Sequence, residues 1–434
     1  MKSLKSLVIT GILASGFAGS AFANTVQYVY IVGAPAFRQD TNANVAAYVA
    51  TFTGAGITAT SGPTAGASDV NNASYNQWYI PNGVSSGVDL EINLALTGSS
   101  AGFESVASGT ITQNFIPNGT GSLTAPSVKQ TNTEAHQPDF TLNDTFQATT
   151  PFNNTRTFYS AAGTGSPFTA TYAGLTTDQS ALGVEAYRFV ASPGATAAGF
   201  TNITTAQAQA LYKNGKLPLA FFTGNHSDES KWVYALTRDG GSGARLVAQT
   251  EIGLGATATL KTYQPNISGG STDSQGNYVG GSDTTDTATN VPLVVAEKTP
   301  STAIWAVTGN GGYKSFGVSS APTTPASVGL LQAISATPPS GALFVTYLNV
   351  PDSAEAEAAG AVELTYNGNT YSVGEVYEGQ WSFWSYENLF YNSLDSQAQT
   401  VVTGLESNWV AAIPVANLNV TKTVDGGIIT GTYY

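Results

Sequence analysis

The chain has no cysteine, only two histidines among 434 residues, and an unusually low share of charge, 10% Asp, Glu, Lys and Arg together. Without cysteine there can be no disulfide framework, no thiolate metal site and no acylated cysteine to tether the chain to a membrane. Two histidines, His136 and His226, are too few for a histidine-based catalytic metal centre, and no H-E-x-x-H occurs. Basic residues are scarce as well: 15 Lys and Arg stand against 28 Asp and Glu, a formal charge of -13. That balance gives no electrostatic basis for binding nucleic acid. Past the first two dozen residues there is no apolar run long enough to span a bilayer.

What is present is a globular composition, 42% hydrophobic and 11% aromatic, on a chain long enough for two domains or one two-lobed body. Lys2 and Lys5, the apolar run Leu7 to Leu13 and the A-x-A step Ala21-Phe22-Ala23 read as a removable signal peptide over residues 1–23. Its loss would take the charge from -13 to -15, two lysines fewer, and leave a soluble protein in a periplasm or at the cell surface. Polar Gly/Ser/Thr-rich stretches at 59–75, 117–135 and 264–290 punctuate the chain. The last is expected to be a surface insertion, since it buries too little apolar area to offset its ordering entropy.

Between these stretches strand-like runs precede helical ones: Val26 to Val32 before Asn42 to Phe52, Val88 to Leu96 before Ala101 to Ala107, Ala186 to Ala191 before Thr204 to Lys213. This predicts an α/β fold with largely parallel strands, whose carboxyl ends face helix N-termini. Three strand-to-helix turns are rich in small residues: Gly33-Ala34-Pro35-Ala36-Phe37-Arg38, Thr97-Gly98-Ser99-Ser100-Ala101-Gly102, and Arg238 to Arg245 after the strand Trp232 to Thr237. Free N–H groups at such turns, with the Ser99 and Ser242 hydroxyls and the Arg238 guanidinium, would form an anion cradle. Taken singly, Ser242 is equally an N-cap for its own helix, and Arg238 a surface residue paired to Asp239.

In order along the chain these pieces resemble the phosphate-binding-like family of periplasmic solute-binding proteins that serve ABC importers. Gly33 to Phe37 resembles its N-terminal glycine loop, Gly98 to Gly102 its serine loop, and Asp139-Phe140-Thr141-Leu142-Asn143-Asp144 its D-F-x-x-x-D segment. Ile203 to Leu217 resembles the helix leading to its F-x-G-K turn, Arg238 to Ala244 its R-x-x-x-S-G-T loop, Gly309 to Phe316 a later glycine turn, and Ser340 to Val350 the strand that follows. The resemblance implies a two-lobed type 2 periplasmic-binding fold, with mixed sheets flanked by helices and a cleft between the lobes. Lobe 1 would hold residues 24–185, lobe 2 residues 186–379, and 380–434 would return to lobe 1. It also implies a non-enzymatic monomer without cofactor that binds a phosphate-like oxyanion for an ABC permease. Carried over, the ligand set is the Phe37 N–H, Ser99, Asp144, Arg238, Ser242, and the N–H groups of Gly243 and Ala244. Asp144 would demand a ligand that still carries a proton, admitting monohydrogen phosphate and rejecting sulfate. Asp144 read without the resemblance is a turn or helix cap.

The chain departs from that pattern at Ala36 and Ala244, where the family carries hydroxyls. Two hydrogen bonds to a charged ligand are worth roughly 3 to 6 kcal/mol, so Arg38, Arg245 or water must compensate, or the ligand differs. Two other classes fit. Gly98 to Gly102 also matches the G-x-S-x-G elbow of α/β-hydrolases, with Ser100 as nucleophile and Asp144 and His226 as partners. An extracellular structural or adhesive protein could keep the fold and lose the ligand. The oxygen-rich run from Ser271 to Asp283 lacks the spacing of an EF-hand. Six aromatics between Glu378 and Tyr391 read as core packing at a returning strand, with a stacking platform for a ligand as the other reading.

Overall fold

A computed structural model describes residues 24–61, 70–120, 134–153, 168–177, 181–238, 241–255, 330–338 and 340–426. It also describes shorter pieces: 123, 127–128, 156–158, 258, 260–263, 429–431 and paired positions between 267 and 296. The signal-like segment, Asp239 and Gly309 to Phe316 lie outside the described residues.

Apolar β-branched and aromatic residues dominate Thr25–Gly33, and its second half, Val29 to Gly33, is almost wholly buried. It runs parallel to Val88–Ala95 on one side and to Phe140–Asn143 on the other, with Val32 opposite Ala95 and Gly33 opposite Leu142. All three strands therefore end at the same edge of the sheet. Helices Arg38–Ala50 and Ser99–Ser108 start just past the first two ends, and Asp144 follows the third.

The whole sheet runs Lys216–Pro218, Trp232–Ala235, Ala342–Asn349, Gly183–Ala191, Trp384–Tyr391, Phe140–Asn143, Thr25–Gly33, Val88–Ala95, Tyr75–Ser85, Gly56–Ser61, Ser127–Val128. Its two flanks meet at two long antiparallel strands. Gly183 to Ala186 pairs with Trp384 to Glu387; beyond that overlap Tyr187 to Ala191 pairs with Val345 to Asn349, and Asn388 to Tyr391 with Phe140 to Asn143. The expectation of largely parallel strands is corrected here. The sheet is mixed, because the strands joining the flanks and the hairpins at the outer edges run antiparallel.

Each flank has its own core. Val29, Ile31, Tyr48, Trp78, Ile92 and Leu405 fill one, beneath Arg38–Ala50 and Ser396–Asn408. Tyr187, Phe189, Leu211, Val247, Tyr347 and Trp381 fill the other. The aromatic run at 378–391 is core: Trp381, Phe383 and Trp384 have no exposed surface, so the packing reading holds and the stacking-platform reading is set aside. Within 264–290 the described backbone consists of short antiparallel pairs, Ile267–Ser268 with Ser282–Asp283 and Ser271–Thr272 with Tyr278–Val279.

Candidate functional site

Where the three parallel strands of the first flank end, they face the turn that opens helix Gly243–Glu251 of the second. Backbone bonds tie the turns together: Gly98 N–H donates to the Gly33 carbonyl at 2.9 Å, and Ser100 N–H to the Gly241 carbonyl at 3.0 Å. The approach is close enough to require glycine. A β-carbon on Gly98, whose φ is +158°, would lie 2.3 Å from the Gly241 oxygen.

At this junction Ser99 Oγ donates to Asp144 Oδ1 at 2.5 Å, and Tyr187 Oη donates to Asp144 Oδ2 at 2.8 Å. Gly243 presses on the same pair, since a β-carbon there would sit 1.7 Å from Asp144 Oδ1 and 2.7 Å from Ser99 Oγ. Burial pushes the Asp144 carboxyl above its ordinary range, against the Ser99 and Tyr187 donors and the positive charge of Arg238. Tyr187 is also pushed well up, by burial first and then by Asp144. The result is a compact, buried group in which a hydroxyl, a carboxyl and a phenol satisfy one another.

The residues expected to hold an anion thus fall into two sets. Ser99, Asp144 and Gly243 touch, with Arg238 acting on Asp144 through its charge. Ser242 Oγ accepts from Arg245 N–H at 3.3 Å, so it does cap its own helix. Phe37 and Ala244 are buried in the second flank's hydrophobic core. Among the described residues three buried hydroxyls have no hydrogen-bond partner, Ser74 Oγ, Ser100 Oγ and Thr145 Oγ1, and the last two adjoin Ser99 and Asp144 in sequence.

Arg38 and Arg245, the candidates to replace the missing hydroxyls, are engaged elsewhere. Arg245 Nη1 donates to the Arg238 carbonyl at 3.2 Å and its Nε to Gln249 at 3.4 Å. Arg38 makes a two-point ion pair with Asp352, Nη2 to Oδ1 at 2.5 Å and Nη1 to Oδ2 at 3.3 Å. Asn349 Nδ2 donates to the Ala36 carbonyl at 2.8 Å, so the turn at 35–38 is fastened to the start of helix Val350–Ala358 on the other flank.

The hydrolase constellation is not assembled. Asp144 is held by Ser99 and Tyr187, while the His226 side chain is 96% exposed and pairs with Glu229. His136 stacks on Tyr30 with ring centroids 4.2 Å apart. No cluster of metal-ligating side chains occurs among the described residues. Tyr187, Asn349 and Asp352 were not foreseen. Tyr187 lies in a run, Ala186 to Ala191, that reads as an ordinary buried strand, and the other two meet the 35–38 turn only through the fold.

No family model and no curated protein matches the chain. It is similar in fold to several solved structures. One is a putative phosphate ABC transporter substrate-binding protein with bound phosphate from Clostridium perfringens, at 9% identity and a TM-score of 0.38 over 87% of this chain and 93% of that one. Another is an ABC-type phosphate transport receptor from Vibrio cholerae, at 10% identity and 0.39 over 88% and 94%. A third is PstS from Borrelia burgdorferi, at 9% and 0.34 over 87% and 92%. Similarity at this level assigns no role to any residue. Among the described residues no helix is long and apolar enough to cross a membrane.

Proposed function

We propose that this is a solute-binding protein that captures a small oxyanion, with phosphate the expected species, at the junction of Ser99, Asp144, Arg238 and the Ser242-Gly243 turn. The observation that carries this reading is the meeting of a buried carboxyl, a nearby guanidinium and the first turns of two helices at one point between the flanks. Fixed positive ends of helices beside a guanidinium favour an anion, and Asp144, when ionised, would accept only from one that brings a proton. The unpartnered Ser100 and Thr145 hydroxyls are donors that such a ligand would satisfy in place of those missing at Ala36 and Ala244.

In this reading the described state is closed, and the anion enters when the flanks part at the two crossing strands. Residues 24–185 with the returning 380–434 form one lobe and 186–379 the other, with 264–290 as a surface insertion, except that Trp381, Phe383, Trp384, Ile413 and Val420 of the returning segment pack in the second flank's core. Residues 1–23 direct export. The protein acts as a monomer, without cofactor or chemistry, outside the cytoplasm, and hands its ligand to an ABC-type permease.

Thermal unfolding of the chain from residue 24, dialysed free of phosphate, tests the reading. Phosphate at a hundred times its dissociation constant adds roughly 2.7 kcal/mol of stability. A rise in midpoint with phosphate and none with sulfate supports it; no rise with either removes it. A second reading has its own support. Ser99, Asp144 and Tyr187 already satisfy one another, and Arg38–Asp352 staples the flanks, as expected of an extracellular structural or adhesive protein that keeps the fold without a ligand.

A further inference from the structure

The chain returns to the junction near its C-terminal end, and the segment Val420 to Gly426 lies across both flanks. On the first flank, Asp425 Oδ2 accepts from the Phe146 N–H at 2.8 Å, and the Thr149 side chain also bonds to it. Phe146 is two residues past Asp144. On the second flank, Gly426 packs on the end of helix Gly243–Glu251. Its φ is +60°, and a β-carbon there would lie 2.2 Å from the Thr250 carbonyl carbon. Between these contacts Lys422 is buried against the crossing strand. Its Nζ donates to the Trp384 carbonyl at 2.9 Å and to Glu251 Oε2 at 3.5 Å, and it stands 4.7 Å over the Trp384 ring. Ser382 Oγ donates to the other Glu251 oxygen, so one acidic side chain at a helix end joins the segment to the crossing strand.

A buried lysine and a buried aspartate three residues apart are costly places for charge unless each has its partners. Here the partners are divided: those of Asp425 lie on the first flank, and Glu251 lies on the second. Separating the flanks must break one set or the other. Val424, between them, is 49% exposed, whereas Val420 at the start of the segment is buried in the second flank's core, so release parts Asp425 from the first flank while the segment stays anchored on the second.

We infer that Val420 to Gly426 is a latch that holds the two flanks together, and that its release is the step that opens the Ser99–Asp144–Gly243 junction. The consequence for ligand entry rests on the solute-binding reading above; the latch itself does not. Other groups facing the pair are Asp144, which acts on Asp425, and Glu251 and Asp425, which act on Lys422.

Because the chain has no cysteine, a Thr149→Cys/Asp425→Cys variant creates a single possible disulfide. Reduced, the variant lacks the Asp425 fastening; oxidised, it is locked. Hydrogen exchange is read at amides 144–150 and 243–251 in both forms and in the unaltered chain, alongside phosphate titration. The latch requires at least tenfold faster exchange in the reduced variant than in the unaltered chain, reversed on oxidation. Equal exchange in all three overturns it. If exchange responds but no form binds phosphate, the latch stands and the oxyanion reading falls. Should the reduced variant lose its circular dichroism, Lys422→Met serves instead: faster exchange in the same amides supports the latch, and unchanged exchange overturns it.

Discussion

Arg38 and Asp352, 314 positions apart in sequence, form a two-point ion pair in which neither side chain is more than 2% exposed. Burial lowers the pKa of the guanidinium, but Asp352, Glu355 and Glu185 around it more than reverse that, so it stays charged. Arg38→Met leaves Asp352 as a buried charge without its partner and should destabilise the chain by roughly 3–5 kcal/mol. Arg38→Met/Asp352→Leu should recover most of that loss, because two apolar side chains need no compensation. Urea unfolding of the three chains checks this, and a double variant no better than the single one would contradict it.

Gly243→Ala should fail where Gly174→Ala is tolerated. The added methyl at 243 overlaps Asp144 and Ser99, whereas a β-carbon at 174 meets nothing within 4 Å. We expect a fall in thermal midpoint for the first, of the size seen when a packed site is overfilled, about 1–3 kcal/mol or more, and less than 1 kcal/mol for the second.

Much of this was readable in advance, for reasons that differ by element. Val26 to Val32 and Val88 to Leu96 announce buried strands through their residue types, and each is observed within one or two residues of its expected bounds. For the helix after the first strand the sequence pattern points to a start at Asn42, four residues later than the observed one. It begins at Arg38 because a buried ion pair lets a charged residue sit in an inward-facing first turn. That Ser99 and Asp144 would share a site is implied only by the family resemblance, since Asp144 read alone is a turn or helix cap. That Tyr187 would join them is not implied at all, since a tyrosine in a buried strand carries no local sign of where its hydroxyl points. Nor could local patterns find Asp352 or Asp425, whose partners are hundreds of residues away.

Tyr187→Phe should remove one of the two hydroxyl donors to Asp144 while leaving the ring's packing on Phe383. The cost should be about 1.5–3 kcal/mol if Asp144 is ionised, and less if it is protonated, because a bond to a charged group is the stronger. Measuring the loss at pH 5 and at pH 8 separates the two cases: a larger loss at pH 8 marks titration of Asp144 in that interval.

Stability should decline as pH rises. Glu185 and Glu387 are diagonal neighbours on one face of the crossing strands, and burial first, then nearby carboxylates, holds both well above 4.5. Asp425 and Glu104 are pushed up to about 7, and Asp139 to about 6, in each case mainly by burial. For all five the folded state binds protons that the unfolded state releases, so stability falls from about pH 4.5 up through each folded pKa. Glu387→Gln should flatten the slope and raise stability at pH 8 relative to the unaltered chain. Thermal unfolding between pH 4.5 and 8 checks the sign; a midpoint that climbs with pH over that range would contradict it.

Isothermal titration of phosphate into the unaltered chain, Arg238→Met and Asp144→Asn tests the central claim most directly. The account requires saturable one-to-one binding of phosphate to the unaltered chain, at least a hundredfold weaker binding to Arg238→Met, and admission of sulfate by Asp144→Asn. Binding that is absent from the unaltered chain, or indifferent to both substitutions, would contradict it.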